Sequence, residues 1–126
     1  MYNYRRLMFY QRAEVLSKRI VKITLRFPSH EKYVLGDQIR RSADSMVSNI
    51  PEGGGKDSVK EMVSYLRNSL GNTNELESQI KRIIGLRYIK SEEGSYILKE
   101  LREIARMING FIRKLREKGE GDGFGL

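Results

Sequence analysis

Residues 58–84 read SVKEMVSYLRNSLGNTNELESQIKRII, and the fold follows from them. Their apolar or small side chains fall at Val59, Met62, Leu66, Ser69, Thr73, Leu76, Ile80 and Ile83. The gaps run 3-4-3-4-3-4-3, the spacing that lines one side of an α-helix. This predicts one helix about 40 Å long at roughly 1.5 Å per residue. A helix with such a stripe needs packed neighbours, because in water it is marginal alone. Ser58 and Glu61 form a capping box at its start, and Gly85 is the expected stop.

Working outward, three more segments carry the same stripe. A first helix is expected from about Met8 to Phe27, with Phe9, Ala13, Leu16, Ile20, Ile23 and Phe27 inward. Pro28 ends it by excluding Phe27 from helical geometry. Ser29 is placed to cap a second helix whose core residues are Leu35, Ile39, Ser42, Ala43, Met46 and Ile50. Pro51 should kink or end that helix near Asn49–Glu52, and Gly53-Gly54-Gly55 should make the turn. Ser91 is the expected cap of the last helix, whose seam is Ile97, Leu101, Ile104, Ile108, Phe111 and Leu115. The result is an all-α fold, an antiparallel up-down-up-down four-helix bundle over 1–118. Residues 119–126 alternate glycine with other residues and are expected to form a flexible tail.

Beside these seams lie Val63, Leu70 and Ile84 on the third long helix and Leu98, Ala105 and Ile112 on the fourth. Such a second apolar stripe either widens the core or makes contact with another copy of the chain.

The 126 residues suffice for one core. No apolar run approaches the ~20 residues of a membrane span. The basic N-terminus lacks the apolar region and cleavage site of a signal peptide, so a cytoplasmic location is expected. Absence of cysteine removes disulfides, thiolate ligands and cysteine nucleophiles. His30 is the sole histidine, too few for the paired Glu-x-x-His motifs of a di-iron bundle. Gly53-Gly54-Gly55-Lys56-Asp57-Ser58 lacks the first glycine and preceding strand of a phosphate loop. No catalytic constellation, metal site or cofactor is expected. A ligand-binding bundle would require a polar pocket among Ser42, Ser69 and Thr73, which fit close helix packing better.

Charge points to a partner. The chain has 24 basic and 16 acidic residues, a formal +8, which favours a polyanion. Over residues 1–27 Arg5, Arg12, Arg19 and Arg26 are seven apart and, if Arg5 is helical, stack in one line beside the seam of the first helix, broadened by Lys18 and Lys22. On the last helix Lys99, Arg106 and Arg113 repeat the interval on the outermost face. These nine are the candidate phosphate contacts. Arginines beside a seam also pair with acids of an adjacent helix, but Glu14, Glu100 and Glu103 look too few to neutralise the line. Tyr2, Tyr4 and Tyr10 could stack on exposed bases or simply pack.

Gln38-Ile39-Arg40-Arg41-Ser42-Ala43, Ser48-Asn49-Ile50-Pro51-Glu52-Gly53, Glu61, Tyr65-Leu66, Ser69-Leu70-Gly71 and Glu75-Leu76-Glu77 occur in order. Over about residues 8–117 the chain resembles the four-helix bundle family of 23S ribosomal RNA intervening-sequence proteins, although Pro51 stands where alanine is commoner. The resemblance implies a ring-like homopentamer and no active site. It extends to the accessory variability determinant proteins of diversity-generating retroelements, which partner a reverse transcriptase and bind nucleic acid through a basic surface. The expectation is a non-enzymatic, oligomeric RNA- or DNA-binding accessory protein. The alternative is a scaffold docking an acidic protein.

Overall fold

The computed structural model describes residues 3–122, with side chains through Lys118. A 3₁₀ turn, Tyr4–Arg6, precedes α1 (Met8–Thr24), the single turn α2 (Ser29–Lys32), α3 (Leu35–Gly54), α4 (Val59–Gly85) and α5 (Ser91–Asp122). There is no strand among the described residues. The four long helices pack as a square: α3 and α5 flank α4, and α1 closes the figure against both. Cross-links pair low with high numbers, Arg26 with Glu93 and Arg12 with Glu100, so α1 and α5 run antiparallel. Of the expected tail, residues 119–122 instead continue the backbone of α5, and residues 123–126 lie outside the described residues.

The stripe of α4 is buried over its whole length, Ser69 and Thr73 included. Both hydroxyls are satisfied without a ligand: Ser69 Oγ donates to the Met46 carbonyl of α3 at 2.7 Å and Thr73 Oγ1 to Leu70 O at 2.7 Å. Ser42 Oγ likewise lies within reach of Gln38 O and of the Glu75 carboxylate, which share its one proton. Small residues therefore bring α3 and α4 together while their polar atoms remain paired. Of the second apolar stripe, Val63 and Ile112 are buried, whereas Leu70, Ile84, Leu98 and Ala105 are half-buried. It chiefly widens the core. On α5, Ile112 rather than Phe111 continues the seam, and Phe111 packs at its edge with its ring 5.4 Å from Phe9.

Helix ends depart most from expectation. The first helix stops at Thr24, and residues up to Phe27 continue in turns closed by Arg26 N–H to Ile23 O and Phe27 N–H to Thr24 O. Ser29 makes no cap. It follows Pro28 into one isolated turn, and α3 begins only at Leu35. Arg40 spans this break. Its guanidinium donates to Thr24 Oγ1 at 2.7 Å and Lys32 O at 2.9 Å, and pairs with Asp37. Pro51 does not end α3, which continues to Gly54. Proline's missing N–H costs one helical bond near a terminus, where the packing of Ile50 and Gly53 holds the last turn in place. The capping box is partial: Glu61 N–H donates to Ser58 Oγ at 3.0 Å, and that hydroxyl donates to the Glu61 carboxylate at 3.3 Å. Ser91 is the first helical residue of α5, and Lys90 O accepts the Gly94 N–H that closes its first turn.

Gly85 is the last residue of α4, but the reversal comes two residues later. Tyr88 N–H bonds to Ile83 O and Arg87 N–H to Ile84 O, both at 3.0 Å, with Arg87 at φ 62°. This is a Schellman closure with arginine in the left-handed position that glycine prefers. Arg87→Gly should raise unfolding stability by about 1 kcal/mol, read by urea denaturation.

Across the same corner a Cβ on Gly94 would lie 2.3 Å from Ile84 Cδ1 and 2.4 Å from Ile84 Cγ1. Gly94→Ala should therefore destabilise, by about 1–3 kcal/mol. In an Ile84→Ala background its sign should reverse, to a gain of about 0.5–1 kcal/mol from helix propensity. A double-mutant cycle in urea reads this, and a loss in both backgrounds would refute the contact.

Candidate nucleic-acid interface

Arg12, Arg19 and Arg26 all reach α5, although Arg19 and Arg26 stay exposed to solvent as well. Arg12 Nε donates to Glu100 Oε2 at 2.9 Å and Nη2 to Oε1 at 2.5 Å, while Nη1 lies 3.7 Å from Met107 Sδ. Arg26 Nη2 is 2.9 Å from Glu93 Oε1, and Arg19 Nη2 is 3.9 Å from its other oxygen. The Arg19 guanidinium also stacks 4.3 Å from the Tyr96 ring centre. Arg5 sits in the 3₁₀ turn, 5.0 Å from the ring of Tyr4, and its carbonyl accepts from Gln11 Nε2. The seven-residue interval is real, but three of its four guanidiniums clasp the neighbouring helix.

The remaining candidates divide. Lys18 pairs with Glu14 at 3.6 Å along the helix, and Arg106 pairs with Glu103. Lys22, Lys99 and Arg113 are exposed, and each lacks an acidic partner among the described residues, as does Arg5. Tyr4 and Tyr10 pack edge-to-face at 5.0 Å, whereas Tyr2 lies outside the described residues. Glu93 was the acid missing from the sequence argument. It stands in the first turn of α5, and its pairing with Arg19 and Arg26 depends on the register of two helices far apart in sequence.

Further cations gather where α4 turns into α5. A groove of about 1040 Å³ opens there, lined by Arg87, Lys90, Tyr88 and Tyr96 together with Arg19 and Arg26. Among the described residues no group of three or more His, Asp or Glu side chains is placed to hold a metal ion. His30 is exposed on α2. No helix among the described residues is long and apolar enough to cross a membrane.

A family model described as 23S rRNA-intervening sequence protein matches residues 5–110. The chain belongs to that family. A solved structure from Bacteroides thetaiotaomicron, described as a protein with unknown function from the S23 ribosomal protein family, shares the fold. Its TM-score is 0.78 at 24% identity, with 83% of this chain and 98% of that one covered. No curated protein matches this sequence.

In this member of the intervening-sequence family, the residues that carry the resemblance hold helices together. Arg40 ties α3 to the ends of α1 and α2. Asn49 Nδ2 donates to Asn72 Oδ1 at 3.1 Å across α3 and α4. Gly53 admits α4 so closely that a Cβ would lie 3.1 Å from Met62 O.

Hydrogen bonds from Arg12 hold the Glu100 carboxyl below its ordinary range, against the opposing effect of burial. A depressed folded-state value means stability that is present at neutral pH and is lost as pH falls below about 4.3 through that value. Glu100→Gln should cost about 1–2 kcal/mol at pH 7 and flatten the acid limb of a stability–pH curve. An unchanged limb would show that the pair contributes nothing.

Proposed function

We propose that this chain is a non-enzymatic, basic accessory protein that binds nucleic acid as a homo-oligomer. The supporting observation is the charge surplus, 24 basic against 16 acidic residues, combined with exposed cations left over after ion pairing. In this reading Arg5, Lys22, Lys99 and Arg113 touch phosphates directly. Arg12, Arg19 and Arg26 hold α1 on α5 and add to the field, as do Lys18 and Arg106. Such contacts grip the backbone without reading bases. Met8 and Val15, seven apart on α1 and 62% and 69% exposed, favour self-association. A ring-like homopentamer, and a reverse transcriptase as protein partner, extend the proposal through the resemblance to retroelement accessory proteins.

Fluorescence anisotropy against a structured RNA and a matched duplex DNA at several salt concentrations tests this. Sub-micromolar binding that weakens steeply with salt is expected. The triple variant Lys22→Glu, Lys99→Glu, Arg113→Glu should bind more weakly, with a slope shallower by about 0.7–0.9 per lost contact. Arg12→Ala should instead lower stability and leave the slope nearly unchanged. Absence of binding at low salt would overturn the reading in favour of an acidic protein partner.

A further inference from the structure

We infer that the groove at the α4–α5 corner is a binding site for a single-stranded nucleic-acid segment, with an unstacked base against Tyr96 and its flanking phosphates on Arg87 and Lys90. This rests on the nucleic-acid reading above and deepens it, since the cations proposed there serve duplex and single strand alike.

Composition and geometry of the groove both favour such an occupant. Four cations, Arg19, Arg26, Arg87 and Lys90, line it against two acids, Glu92 and Glu93. Glu93 is shared by Arg19 and Arg26, whereas Arg87 and Lys90 are exposed and have no acidic partner among the described residues. Two guanidiniums are thus fixed in place and two cations stay free for phosphate. Tyr96 supplies the flat surface. Arg19 covers one face of its ring, the residue remains 49% exposed, and it borders the groove. A phenol ring backed by a guanidinium is a stacking platform for a base, and bases in a paired helix cannot reach one.

Arg87 adds a separate indication. Its left-handed backbone, φ 62°, suits glycine, yet the position holds a long cationic side chain lining the groove. Local strain tolerated by a residue beside a cleft is a recurrent mark of binding positions. At about 1040 Å³ the groove is at the upper end of the roughly 300–1,000 Å³ of small-molecule clefts, which is room for a nucleotide.

The test compares oligoadenylate RNA, alone and annealed to its complement, by anisotropy at fixed low salt. The wild-type protein should prefer the single strand. Tyr96→Leu should weaken single-strand binding about 5- to 100-fold and leave duplex binding within twofold, and Tyr96→Phe should restore it. Arg87→Gly should bind the single strand several-fold more weakly while unfolding at a higher urea concentration, which separates lost contact from lost structure. Equal single-strand affinity in wild type, Tyr96→Leu and Arg87→Gly would overturn the groove assignment even though nucleic-acid binding stands. Failure of every probe to bind the wild-type protein would overturn the broader reading along with it.

Discussion

Everything in this molecule is subordinate to covering the stripe of α4. It is buried from Val59 to Ile83, on a helix that a chain of this size cannot stabilise in isolation. Helices α3 and α5 cover its two flanks, and α1 fills the remaining corner so that its own stripe is covered too. Twelve large side chains, Ile20, Ile39, Met46, Ile80 and Ile104 among them, are essentially inaccessible as a result. Each contributes on the order of 1.5–3 kcal/mol on burial, which offsets the entropy of ordering the chain. Side chains at the seam edges must then fit whatever the neighbouring helix presents.

That requirement accounts for the arginines of α1. A position beside the seam faces the flank of the next helix, and on α5 that flank offers Glu93, Tyr96, Glu100 and Met107. A guanidinium suits this place because its stem covers apolar surface while its planar fork matches a carboxylate or stacks on a ring. Arg12 with Glu100 uses the fork, and Arg19 with Tyr96 uses the plane. The seven-residue repeat of charge therefore arises from the same helical geometry as the seven-residue repeat of the core.

The core was legible because burial follows period alone: every residue assigned to the α4 seam is buried, and only Phe111 had to yield to Ile112. Ends were less legible. Whether Ser29 caps or merely starts a turn depends on Pro28 and on the demand of Arg40 for Lys32 O and Thr24 Oγ1, a tertiary contact with no local signature. The reversal at Arg87 was hidden for a similar reason, since Gly85 nearby carries the usual stop signal and arginine ordinarily avoids positive φ. The charged face was half legible. Its residues and interval could be read directly, but the pairing of Glu93 and Glu100 requires the register of α1 against α5, which lie at opposite ends of the chain.

Where a bundle of this kind can meet a partner follows from the same bookkeeping. Side chains beside the α1 seam are committed to the neighbouring helix, where Arg12 takes Glu100 and Arg19 and Arg26 share Glu93. Links and corners are under no such demand, because their side chains need not match another helix over several turns. It is at such a corner that Arg87 and Lys90 remain uncompensated and Tyr96 remains half exposed. The backbone of the α4–α5 corner is held all the same: Ile84 fills the space a Gly94 side chain would take, and two backbone hydrogen bonds close the reversal. Arg87 and Lys90 therefore stand on backbone already held by the fold, so the ordering cost of a contact made there falls chiefly on their own side chains.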